Sequence, residues 1–163
     1  MEELKIVPYS KKDLAGIIEV WNEVVEEGNA FPQETPMTEQ EADAFFSKQD
    51  FVGVAYYKRQ VVGLYILHPN NVGRCGHHAN ASYAVRSELR GLHIGECLVQ
   101  HSLEQAKRLG YRLLVFNVVV KGNDRAVRLY EKLGFVKVGE LPGGFRQKDG
   151  TYADTMIFYH TLQ

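Results

Sequence analysis

The sequence predicts a mixed α/β (α+β) fold, with one mostly antiparallel sheet and helices on both faces. Three observations carry this expectation. The runs 51–57 and 61–67 are strand-like and separated by only Lys58-Arg59-Gln60, short enough for an antiparallel hairpin. A strand–helix–strand run occupies the middle of the chain, and such a crossover lays its two strands parallel. The second of those strands, Leu113 to Val120, is apolar except for Asn117, the pattern of a strand buried on both faces.

The elements follow in order. Leu4, Ile6 and Pro8 alternate with polar residues and suggest a short first strand. Ser10 can cap a helix beginning near Lys11, whose apolar stripe is Leu14, Ile17, Ile18, Trp21, Val24 and Val25. Gly28 ends that stripe, and 28–37, with Pro32 and Pro36, reads as an irregular loop. Thr38 with Glu41 forms a capping-box pattern for a short helix carrying Ala42, Phe45 and Phe46. After the hairpin, 77–85 reads as a strand and about 94–109 as a helix stopped by Gly110. Residues 123–133 suit a helix closed by Gly134, a strand starts at 135–138, and 155–160 is the last strand. The expected order is therefore β-α-α-β-β-β-α-β-α-β-β, with 77–85 parallel to 113–120.

At 163 residues the chain fits a single domain, 1–163. Nineteen basic against 20 acidic residues leave a net charge of -1, without the basic excess that marks a nucleic-acid partner. No apolar run approaches the ~20 residues that span a bilayer, so no membrane partner is expected. The opening Met-Glu-Glu-Leu-Lys lacks the basic-then-apolar pattern of a signal peptide. Two cysteines, Cys75 and Cys97, make no disulfide framework, and a reducing, cytoplasmic setting is the expectation. His68, Cys75, His77 and His78 invite a metal reading. Adjacent histidines on a strand point to opposite faces, however, so no metal is expected.

The chemistry-bearing segment is Arg90-Gly91-Leu92-His93-Ile94-Gly95, between a strand and a helix. A helix N-terminus offers unpaired N–H groups and a positive dipole end, which suit a phosphate. Gly91 and Gly95 remove Cβ atoms where backbone must approach a ligand, and Arg90 adds a forked cationic donor. The segment lacks the lysine of a P-loop and misses the G-x-G-x-x-G spacing of a dinucleotide site. On this segment alone, a plain strand–helix turn fits equally well.

A second motif follows one strand later, Asn123 to Phe135, and the pair in this order resembles the GNAT acetyltransferase superfamily. Its pyrophosphate motif runs Q/R-x-x-G-x-G/A, matched here except that His93 stands where glycine is usual. Its later N-x-x-A-x-x-L-Y-x-x-x-G-F helix is matched at Asn123, Ala126, Leu129, Tyr130, Gly134 and Phe135. A right-handed helical conformation at residue 93 would tolerate the side chain. Phe116-Asn117-Val118-Val119 and Gly139 to Phe145 further resemble the branch with the fungal acetyltransferases of proline analogues and many bacterial members.

The resemblance implies a GNAT-like sheet whose central parallel strands splay apart, with acetyl-CoA as co-substrate. The pantetheine arm would pair with Tyr83, Ala84 and Val85. The loop amides of Gly91, Leu92, His93, Ile94, Gly95 and Glu96 would take the pyrophosphate beside Arg90, and Asn123 would contact the arm. Tyr130 would reach the sulfur, where a phenol of pKa about 10 can protonate or steady a leaving thiolate of pKa about 8.5. Asn117 would orient the acceptor or the carbonyl. Its competing role is a satisfied structural hydrogen bond, as core packing is for Tyr130. Glu26, Glu27, His78 and Tyr83 are candidate assistants for a general base. The acceptor pocket would form from 28–37 and 141–152, with Phe31 and Phe145 closing it and Arg146 meeting a carboxylate. The expected activity is N-acetylation of a primary or secondary amine of a small molecule or amino acid by direct attack. Peptide or protein N-termini, or acyl-CoA sensing without catalysis, are the alternatives. A homodimer paired through the last strands is compatible with the family.

Overall fold

The computed structural model describes residues 3–163. Their seven strands form one sheet in the order β1-β2-β3-β4-β5-β7-β6. The strands are β1 (Lys5–Pro8), β2 (Phe51–Tyr57), β3 (Gln60–Pro69), β4 (His78–Val85), β5 (Leu113–Val120), β6 (Val136–Arg146) and β7 (Tyr152–Thr161). The helices are α1 (Leu14–Glu27), α2 (Glu39–Ser47), α3 (Ile94–Arg108) and α4 (Asp124–Lys132). Every neighbouring pair is antiparallel except β4 with β5, so the mixed, mostly antiparallel sheet with one central parallel pair is present as expected.

Both faces of the sheet are covered. One core joins Ile17, Val20, Trp21 and Val24 of α1, with Ala42 and Phe46 of α2, to Val54, Leu64 and Ile66. The other joins Ile94, Leu98, Val99 and Ala106 of α3 to Ala55, Tyr65, Leu67, Leu114 and Phe158. The alternation Leu64, Ile66 against Tyr65, Leu67 shows why β3 reads as a continuous apolar run: the strand feeds both layers. Each fully buried large side chain stabilises the fold by roughly 1.5–3 kcal/mol.

Local signals set the helix ends. A 3-10 turn, Lys11–Asp13, precedes α1, so the regular helix starts three residues later than Ser10 suggests. Asp13 accepts from Ser10 N at 2.9 Å and from the Tyr56 hydroxyl, which explains a carboxylate only 1% exposed. At α2 the box closes in both directions, Glu41 N to Thr38 Oγ1 at 3.2 Å and Thr38 N to Glu41 Oε1 at 3.1 Å. The β2–β3 connection is a two-residue turn, Lys58 and Arg59, both left-handed at φ 50 and 63.

Two expectations about strands need correction. The last hairpin is longer than the pattern suggests, because β6 continues through Leu141-Pro142-Gly143-Gly144 by irregular pairing between Leu141 and Phe145. An edge strand tolerates proline and a glycine bulge where a central strand does not. Strand β5 is not buried throughout: Asn117 and Val118 are exposed. Pairing with β4 covers only His78↔Leu113 and Ala79↔Leu114, and pairing with β7 is interrupted between Phe116 and Val119. Residues 117 and 118 thus lack strand partners on both sides.

Candidate active site

The parting of β4 and β5 decides where a ligand can sit. Beyond Ala79 and Leu114 the facing backbone edges have no strand across the gap, and buried backbone groups need partners. One side chain meets the first of them, with Asn80 Nδ2 donating to Val115 O at 2.7 Å. Past that bridge the gap opens into a cleft of about 840 Å³ that reaches from β5 to the start of α3. Strand periodicity divides its wall. Ala84 packs in the α1 layer, so Asn80 and Ser82 share that side, next to Asn29, Ala30, Phe31 and Pro32. Tyr83 and Val85 face the α3 layer and also line the cleft.

Tyr130 lines the α3–α4 side. Its ring packs on Phe116 at 4.5 Å and Phe135 at 5.5 Å between centroids, which fixes where the phenol can point. Burial pushes its hydroxyl well above the ordinary tyrosine range, so the proton stays on at neutral pH. Tyr83 differs: its hydroxyl meets Ser102 Oγ at 2.6 Å, and Ser102 donates to Val99 O at 2.7 Å. Tyr83 is therefore the donor of that pair, and burial raises its pKa far above the usual value. A phenol so committed does not act as a base. His78 sits at the closed end of the gap, opposite Leu113. It does not point away from its neighbour as strand alternation suggests. His77 precedes the strand, and the two rings meet edge to face at 4.5 Å. Among the described residues, no group of three or more His, Cys, Asp or Glu is placed to hold a metal ion.

At the mouth of the cleft a short 3-10 turn, Ser87–Leu89, leads through an extended Arg90 to the start of α3. Gly91 is left-handed at φ 94, a conformation that favours glycine. His93 is left-handed too (φ 62, ψ 19), not right-handed helical as the motif comparison suggests. This explains why glycine is usual there; histidine is among the side chains that tolerate it best. Arg90 also departs from expectation. Its guanidinium makes a two-pronged pair with Glu27 at 2.6 and 2.5 Å and reaches Val85 O at 3.3 Å. A charge assigned to phosphate is thus already balanced, and Glu27 is not a free base. Glu96 lines the cleft, and its carboxylate is held below the usual range chiefly by Lys132, 2.7 Å away. Leu92 is 59% exposed and outside the cleft lining.

Asn117 and Asn123 both line the cleft. Asn117 is exposed and exchanges two amide hydrogen bonds with Asn70, at 2.6 and 3.1 Å, so the expected buried amide is a surface pair at the rim. Phe31 is buried against Trp21 (4.4 Å between centroids) and still contributes to the wall. Phe145 and Arg146 do not. Both lie on β6, Phe145 buried and Arg146 paired with Glu34, because residues 141–146 of the stretch read as a second pocket loop are strand. Sequence reasoning missed Asn80, whose only signal is a polar residue between two alanines of the strand. It also missed Asn70, which lies in a turn far from Asn117 in sequence.

Residues 17–135 match the acetyltransferase (GNAT) family. The chain belongs to that family. It is 30% identical over 158 residues to N-acetyltransferase aca1 of Schizosaccharomyces pombe, covering 85% of this chain and 76% of that protein. Among solved structures, a GCN5-related N-acetyltransferase from Kribbella flavida superposes with a TM-score of 0.89 at 27% identity, over 97% of both chains. A phosphinothricin acetyltransferase from Sinorhizobium meliloti, solved in complex with acetyl-CoA, shares the fold at 24% identity with a TM-score of 0.90, over 98% of this chain and 88% of that one. This GNAT protein is an acetyltransferase that uses acetyl-CoA as co-substrate. The cleft suits such a molecule, with unpaired strand edges inside and a glycine-bearing helix N-terminus at the mouth. Among the described residues no helix is long and apolar enough to cross a membrane.

Proposed function

We propose that this GNAT acetyltransferase acetylates the primary or secondary amine of a small molecule or amino acid. The observation that carries this reading is one cleft with a partly buried phenol on its α3 side and side-chain amides on its α1 side. The turn amides from Gly91 to Glu96 hold the pyrophosphate, and the free edges of β4 and β5 receive the pantetheine arm. Acetyl-CoA supplies a thioester carbonyl near Tyr130. The amine nitrogen attacks that carbon, a C–N bond forms, the C–S bond breaks, and the thiolate takes up a proton. Tyr130 holds its proton at neutral pH and serves as hydrogen-bond donor or acid to the sulfur. Asn80 and Asn117 orient the amine through their amide oxygens.

Glu27 and Tyr83 are engaged, and Glu26 and His78 lie outside the cleft lining, so the amine loses its proton through water. An α-amine of pKa about 8 is already roughly one-tenth neutral at pH 7. The 28–37 loop, which gives Asn29, Ala30, Phe31 and Pro32 to the cleft wall, favours a small acceptor over a peptide. Arg146 ties Glu34 of the 28–37 loop to β6, and Lys148 bonds the Glu26 carbonyl. The test is thiol release from acetyl-CoA with panels of amino acids, small amines and short peptides. Turnover of small amines at higher kcat/KM than peptides is the expected result; turnover of peptides alone overturns the acceptor class.

A further inference from the structure

Three carboxylates on α1, those of Glu19, Glu23 and Glu27, recur every four residues and share one helix face. All three meet the segment that carries β4 into α3. Glu19 accepts from Arg86 Nη1 at 2.6 Å, Glu23 accepts from the Ser87 backbone N–H at 2.5 Å, and Glu27 takes both prongs of Arg90. Arg86 is anchored on its other side, with Nε donating to Val61 O at 2.7 Å and its backbone N–H to Val62 O at 3.0 Å. The four-residue spacing of the acids thus matches the contacts at 86, 87 and 90, and the segment is pinned against α1 before the glycine-bearing turn begins.

The strength of the pins differs. The Glu19 side chain is 67% exposed, whereas Glu27 and Arg90 are 26% and 29% exposed and Glu23 holds a main-chain amide. The Ser87 amide is the main reason that the Glu23 carboxyl lies below its usual range, with Arg86 and Arg90 adding to it. Immediately after the pins the chain runs through two left-handed residues, Gly91 and His93, a stretch that a free loop would sample in many arrangements.

We propose that Glu23 and Glu27 are positioning residues for acetyl-CoA. They hold the 87–95 turn from its α1 side, so that its amides converge before the pyrophosphate arrives. This deepens the reading that the turn holds the pyrophosphate, and rests on it. Arg90 then acts as scaffold, with its charge spent on Glu27, and the anion meets backbone donors and the α3 N-terminus. Pre-setting a ligand loop raises affinity by removing the ordering cost from the binding step.

The experiment compares Glu23→Ala, Glu23→Gln and Gly95→Ala by calorimetry with coenzyme A and by steady-state kinetics. Glutamine keeps an oxygen for the Ser87 amide; alanine does not. Glu23→Ala should raise the coenzyme A Kd and the acetyl-CoA KM about tenfold, with kcat and the acceptor KM unchanged. Glu23→Gln should stay within about threefold of the native chain, and both variants should melt within a few degrees of it. A Glu23→Ala Kd within twofold of native, or equal losses in the alanine and glutamine variants, overturns the proposal. If Gly95→Ala also leaves the Kd unchanged, the turn is not the pyrophosphate site and the underlying reading fails with it. If Gly95→Ala weakens binding and Glu23→Ala does not, only the positioning role is lost.

Discussion

Gly95 offers a test in which stability and affinity should move in opposite directions. It lies in the first turn of α3, directly after His93 and Ile94. A Cβ built there meets nothing closer than Leu129 Cδ2 at 3.8 Å and Val85 Cγ2 at 3.9 Å, ordinary contacts. The protein itself therefore has no steric need for glycine at this position. Replacing a helical glycine by alanine removes backbone entropy from the unfolded chain and is worth about 0.5–1 kcal/mol. For a chain of this size that corresponds to a rise in Tm of roughly 1–4 °C. The same methyl group projects toward the cleft that Gly95 lines. There it would hold a phosphate off the turn amides. One lost hydrogen bond to a charged group costs about 1.5–3 kcal/mol, which is roughly a 10- to 100-fold weaker Kd. Thermal melting and coenzyme A calorimetry on Gly95→Ala read both quantities from one preparation. A variant that melts higher and binds as tightly as the native chain would refute the assignment of this turn. One that melts lower would refute the packing argument.

Tyr130→Phe should lower kcat by about tenfold or more while the coenzyme A Kd changes little, because the ring contacts to Phe116 and Phe135 persist; equal turnover in steady-state assays returns Tyr130 to a packing role. Asn117→Ala should raise the acceptor KM with a Tm change under about 2 °C, because its partner Asn70 remains solvated at an exposed rim; a large fall in Tm would instead make the amide pair structural. The pH dependence of stability also has a definite sign. The folded-state pKa of Glu23 is depressed, so its contribution is present above the unfolded carboxylate pKa and is lost as pH falls through the lower folded value. The Tm difference between the native chain and Glu23→Gln should therefore be constant at neutral pH and shrink only below about pH 4.5, where the free carboxyl titrates; a difference that grows on acidification contradicts the Ser87 contact.

Element types were legible because local and tertiary preferences agree. The α1 stripe, the Thr38 box and the glycine stops after α3 and α4 all act within a turn or two of sequence. The cleft lining was legible where a motif carries the geometry, at Gly91, Gly95 and Tyr130. It was not legible where geometry depends on pairing that no local pattern encodes. Asn117 reads as a buried polar residue because its neighbours are apolar, yet the register break between Phe116 and Val119 leaves it exposed. Phe145 and Arg146 read as loop because Leu-Pro-Gly-Gly is turn-like, yet an edge strand absorbs those residues in a bulge. Arg90 reads as a ligand for phosphate because its partner Glu27 lies 63 residues earlier.

The same parting that misled the reading of β5 explains why the cleft exists. A parallel pair that continued past Ala79 and Leu114 would satisfy its own backbone and leave no edge for a ligand. Asn80 stands at the branch point. Its Nδ2 takes the Val115 carbonyl, so a side chain closes the ladder where the backbone of β4 no longer can. Beyond it the strands diverge at modest cost, because Asn117 and Val118 face solvent and the β7 pairing resumes at Val119. An extended ligand with amide groups can then complete both edges as a strand would. On the proposed reading the missing partner of this seam is the co-substrate, and the groups available to select and activate the acceptor stand on either side of it: Tyr130 in one layer, Asn80 and Asn117 toward the other.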